Sequence, residues 1–229
     1  MGFRKIAFGA FGYVYEYKYT LAKALLIPFA LYMTLDAVEI LEPSFIASIG
    51  FAIAYLMIQT LFAITTHRVI LLGPESVPKW GVLKWSKRET FFALHILGLA
   101  VLTGILGGMV TFLVSMLIPF ANILGWGSAL IFIGAVAWLF ARLALVFPAI
   151  AIDQGVSFKY SWKLTKNHQF LMVLVVVIFP ALLLIPAYLL SSIQYSFILT
   201  SFLSSFATVF MVAALSVAYK MVCEEIYES

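Results

Sequence analysis

Six apolar runs, each long enough to cross a bilayer, constrain this chain more than any other feature. The clearest is 45–66, where no charged side chain interrupts the sequence. A hydrocarbon core about 30 Å thick takes about 20 helical residues. Inside it every backbone amide and carbonyl must be paired within the protein, so such a run is read as a helix. Spans are expected at about 21–41, 45–66, 91–118, 128–150, 170–190 and 197–219. The expected fold class is all-α, a polytopic membrane helical bundle, with 1–229 forming a single integral membrane domain.

Composition agrees. Charged residues make up 10% of the 229 and hydrophobic ones 64%, whereas a soluble domain is about 25% charged. The spans and their links leave no stretch for a separate soluble domain. Cys223 is the single cysteine, which excludes an intrachain disulfide and a cysteine-built metal site. No cofactor or metal is expected. After Arg4 and Lys5 the chain is aromatic and mixed, without an apolar signal-peptide core, so the first span is expected to direct insertion. Residues 1–19 are read as an interfacial helix or arm, because a lone strand beside a membrane has no partner.

Six spans put both termini on one side. Thirteen of the fourteen lysines and arginines then fall on that side or at its interface, Arg142 within a span being the exception. This positive-inside pattern predicts cytoplasmic termini. It also accounts for the net charge of +4 without nucleic acid. Trp80 and Trp85 among Lys79, Lys84, Lys87 and Arg88 are read as an interfacial belt.

Individual spans carry further marks. Asp36, Glu39 and Glu42 give an acidic edge to the end of the first. Gln59 in the second is expected to face another helix. Gly104 and Gly108 form a GxxxG pair in the third, a spacing that permits close helix approach. Pro180 and Pro186 are expected to kink the fifth.

The stretch 142–171 organises the rest. Arg142 lies about 6 residues, or about 9 Å, from the middle of its span. A charge at the bilayer centre costs about 2.5–3.5 kcal/mol on insertion scales, much of it recoverable by snorkelling. The side chain is read either as an anchor or as a phosphate-binding group, with Asp153 as its nearest acidic neighbour in sequence. After a polar link, 157–168 is expected to form an interfacial helix capped by Ser157. Lys159, Lys163 and Lys166 fall on one face, with Phe158, Trp162 and Thr165 on another. At an anionic surface each lysine is worth about 1 kcal/mol. A solvated connector whose lysines only follow topology is the competing reading.

Arg142-Leu143-Ala144-Leu145, then Pro148-Ala149-Ile150, a polar link and SWKLTKNHQF at 161–170 form one distinctive stretch. HRVILLGPE at 67–75 followed by KRETFF at 87–92 forms another. Both resemble an uncharacterised family of bacterial inner-membrane proteins. That family is related to the membrane domain of glycerophosphoryl diester phosphodiesterases. The resemblance implies a six-helix protein of the bacterial inner membrane concerned with lipid or envelope homeostasis. It does not carry catalysis over, because the phosphodiesterase reaction needs a soluble barrel with metal-binding carboxylates.

The function expected is therefore non-enzymatic. Neither GxSxG nor HExxH occurs. The candidate lipid- or phosphate-contacting residues are Arg142, Arg68, Lys159, Trp162, Lys163 and Lys166. The partners expected are membrane lipids with anionic headgroups, with a protein partner or a second copy of the chain left open, and no nucleic acid. The alternative is a small transporter or channel, suggested by the kinked fifth span, Gln59, the acidic edge and Arg142.

Overall fold

The computed structural model describes residues 2–41, 45–117, 122–191, 193 and 197–228, and among these it contains helices and turns but no strand. An amphipathic helix, α1 (Phe3–Glu16), comes first. It is followed by α2 (Lys18–Leu41), α3 (Phe45–Leu72), α4 (Lys87–Leu117) and α5 (Asn122–Leu143). Two short helices follow, α6 (Val146–Ala151) and α7 (Phe158–Leu164). The fifth span is α8 (Gln169–Val173), a π turn at 174–178 and α9 (Phe179–Ser191), and the sixth is α10 (Phe197–Glu228). Six helical stretches, within 18–39, 47–72, 87–109, 131–151, 169–191 and 198–225, are long and apolar enough to cross a membrane. The chain is a multi-pass helical membrane protein.

α10 is the post against which much of the bundle packs, touching α1, α3 and α9. Ala213, Ala214 and Ala218 are buried on it, and small side chains let neighbouring backbones come close. Ile6, Ala10 and Val14 of α1 are also buried. Their i, i+4, i+8 spacing makes one helical stripe, so the aromatic N-terminal segment is a helix docked on the bundle. By contrast, Gly104 and Gly108 have open space where a side chain would stand, and it is Gly107 that meets Phe132 of α5. Among the described residues, the close approach that the GxxxG spacing permits is not used at Gly104 or Gly108.

Proline shapes three of the spans. Pro180 removes the amide that would serve the Val176 carbonyl, and the helix passes through a π turn just before it, where the Phe179 amide donates to the Leu174 carbonyl. Pro28 does the same to the Ala24 carbonyl in α2. Gly81, at φ +81°, brings its backbone against that oxygen so closely that any Cβ would overlap it. Pro148 likewise leaves Ala144 without its usual partner, and Phe147 N–H donates to Ala144 at 3.2 Å instead. The fourth span is therefore not one helix to residue 150 as expected: it breaks at Ala144–Leu145 between α5 and α6.

Long-range bonds gather the basic segments at one end. Lys220 Nζ donates to the Tyr13 hydroxyl at 3.1 Å, and Tyr219 donates to Gln154 at 2.6 Å. Arg68 and Arg88 both reach Asp153. At the other end the Tyr55 hydroxyl lies 2.6 Å from Asp36 and 2.9 Å from Glu39, and the Ser201 hydroxyl donates to Asp36. Glu42 lies outside the described residues.

Candidate functional site

The site is the underside and outer face of α7, at the basic end. α7 is shorter than the interfacial helix expected over 157–168: the helix closes at Leu164 and a turn follows. Ser157 occupies the N-cap position in extended conformation, but its hydroxyl makes no cap bond. What fixes α7 lies beneath it. Where α5 ends, the Arg142 carbonyl loses its helical donor. The Ser161 hydroxyl supplies a bond at 2.9 Å and the Thr165 hydroxyl another at 3.1 Å. Ser161 and Thr165 are fully buried, since these bonds require them to face the bundle. Thr165 therefore does not share a face with Trp162 as expected.

The Arg142 side chain completes the joint. It is 3% exposed and donates to the Trp162 carbonyl at 2.6 Å. Its guanidinium lies 4.3 Å from the Trp162 ring centre and 5.7 Å from that of Trp138. The two indoles meet edge to face at 5.3 Å and 86°, and Trp138 donates to Gln169 at 3.1 Å. A cation over an aromatic face gains about 2 kcal/mol when desolvated, which offsets part of the cost of burying the charge. Arg142 Nε has no hydrogen-bond partner among the described residues. Asp153 is not the partner of Arg142.

Asp153 belongs to a second cluster. Arg68 donates to it at 2.6 Å and to the Ala151 and Ser76 carbonyls at 3.1 and 3.3 Å. Arg88 reaches Asp153 at 3.2 Å and grips Glu89 with two nitrogens at 2.8 and 2.7 Å. Glu89 is fully buried and accepts the Ser86 amide at 2.8 Å. The four charges cancel, and they tie the end of α3 and the start of α4 to the link before α7. Partial burial raises the Asp153 carboxyl, but the Arg68 hydrogen bond and the charges of Arg88 and Arg68 outweigh it and hold the group below the ordinary aspartate range. Asp153 also has φ +64°, a region asparagine and aspartate enter more readily than most residues.

The candidate residues thus divide. Lys159, Trp162, Lys163 and Lys166 are exposed. Arg142 and Arg68 spend donors inside the chain. Sequence reasoning missed Arg88, Glu89, Ser161 and Thr165. For the first pair a signal existed: Ser86-Lys87-Arg88-Glu89 has the S-x-x-E spacing of a capping box. Behind α7, the Phe158 ring meets His95 of α4 at 4.7 Å with the two rings tilted by 57°, and it packs beside Gly98. His67 is buried, and its Nδ1 shares a hydrogen bond with the Ser216 hydroxyl at 2.7 Å, joining α3 to α10. Comparison with family models, with curated proteins and with solved structures finds no match to this chain.

Proposed function

We propose that this chain is a non-enzymatic protein of a bacterial inner membrane, with both termini cytoplasmic, that holds anionic lipid headgroups on α7 in the service of lipid or envelope homeostasis. One observation carries the reading. Lys159, Trp162 and Lys163 stand exposed on a short helix, and Lys166 on the turn that follows it, while Ser161 on the helix and Thr165 at its C-cap bond the segment to the end of a span. A helix fixed in this way keeps its lysines at headgroup level without ordering them anew at each encounter. Three lysines near an anionic leaflet contribute about 3 kcal/mol, a factor of about 100 in lipid preference. The bacterial inner membrane and the homeostatic role rest on the resemblance carried by 142–150 and 161–170.

In this reading Arg142 positions α7 rather than contacting lipid. The test is to extract the chain with its lipid annulus and identify the lipids by mass spectrometry, beside the Lys159→Glu, Lys163→Glu, Lys166→Glu triple variant. Anionic lipid enriched in the native chain and lost in the variant is the expected result. An identical annulus in both sinks the reading. If a co-purifying protein persists while the annulus is identical, the chain is an accessory subunit instead.

A further inference from the structure

A groove of about 340 Å³ lies between α1, α2, α3 and α10, and no residue of α7 lines it. Leu25 and Phe29 of α2, Phe62 of α3, and Phe202 and Phe206 of α10 form its walls, and Lys18 stands at one end. It opens sideways, because Leu26 and Phe206 on its rim are 52% and 54% exposed. In a protein that spans a membrane this opening faces the bilayer. From Lys18 to Phe29 the helix rises about 16 Å, close to half of a 30 Å hydrocarbon core. With Lys18 at the start of its span, that length corresponds to the depth of one leaflet.

Its ends differ in chemistry. The deep end is aromatic and apolar. At the mouth, Lys18 Nζ lies 3.9 Å from the Tyr15 ring centre and 5.3 Å from that of Tyr19. Both rings are over 70% exposed, so they hold a cation where headgroups lie. The volume falls in the range of small-molecule sites, about 300–1,000 Å³. We propose that this groove holds one acyl chain of an anionic phospholipid from the leaflet on the basic side, with its phosphate paired to Lys18. This rests on the reading of the chain as a lipid-binding protein, but not on α7.

The experiment uses the full chain in bilayers of equal phosphatidylglycerol and phosphatidylethanolamine, with bound lipids counted by native mass spectrometry after mild delipidation. Ala22→Trp fills the groove from an exposed position on α2, and Ser205→Phe fills it from α10. The expected result is one retained phospholipid fewer in either variant than in the native chain, with unchanged melting temperatures showing that both fold. Lys18→Gln should keep the lipid and lower its phosphatidylglycerol preference about fivefold. Retention of the lipid in both filled variants overturns the proposal, as does an unchanged preference in Lys18→Gln. Loss of a dimer rather than of a lipid makes the occupant a second copy of the chain and also overturns it. The α7 triple variant keeps the two readings apart: it should leave this lipid in place whether or not α7 binds headgroups.

Discussion

Arg142 and Trp162 hold each other twice: the guanidinium lies 4.3 Å from the indole centre and donates to the same residue's carbonyl at 2.6 Å. One side chain therefore joins the end of α5 to α7. Trp162→Leu removes the aromatic face and keeps the carbonyl. It should cost about 2 kcal/mol, the size of a desolvated cation–π contact. A melting curve of the detergent-solubilised protein should fall by about 4–8 °C, and an unchanged curve would show that the stack contributes nothing.

Paired removal of the two hydroxyls, Ser161→Ala with Thr165→Val, deprives the Arg142 carbonyl of its donors. Each lost bond should cost about 1 kcal/mol. Hydrogen exchange across 158–165 should quicken by about tenfold or more, while exchange in α10 stays as it was.

Gly81→Ala should be among the most damaging single substitutions. Its Cβ would overlap the Ala24 carbonyl, and its φ of +81° disfavours a side chain. A cost of about 1–3 kcal/mol is expected from the backbone conformation alone. Gly104→Ala, where space is open, should leave the melting temperature unchanged or higher.

Acid should loosen the link before α7. Because the folded Asp153 carboxyl is held below its ordinary range by Arg68 and Arg88, its contribution is complete above that range. It is lost as the pH falls through the lowered value. Its side chain is 58% exposed, so solvent screening keeps the effect small. Asp153→Asn tolerates the same φ and removes the charge. Melting temperature against pH should therefore slope less below the aspartate range in the variant than in the native chain.

Reporter fusions at either terminus should read on the same side of the membrane, since the docking of α1 on α10 and the Lys220–Tyr13 bond place the two ends together, and the proposed orientation makes that side the cytoplasm. Signals from opposite sides of the membrane would contradict the six-span arrangement.

The spans were legible because a bilayer imposes a length and a composition on any segment that crosses it. The N-terminal helix was legible in part, since its aromatic residues suit an interface. The exposed part of α7 was legible from lysine spacing. Its anchoring was not, because Ser161 and Thr165 look like ordinary polar residues until a carbonyl twenty residues away lacks a donor. The Gly104–Gly108 pair left the question open for the converse reason: the spacing permits a close contact but does not supply a partner helix.

By itself the sequence determined that the chain crosses a membrane, roughly where it does so, and which end carries the positive charge. These follow from local properties, hydrophobic length and the placement of lysine and arginine, that each segment has on its own. The tertiary structure decided that Asp153 pairs with Arg68 and Arg88 and not with Arg142. It decided that Arg142 is enclosed between Trp138 and Trp162, and that a groove opens beside Lys18. Such pairings depend on which helix faces meet and where prolines free carbonyls, and those are set only when the helices pack.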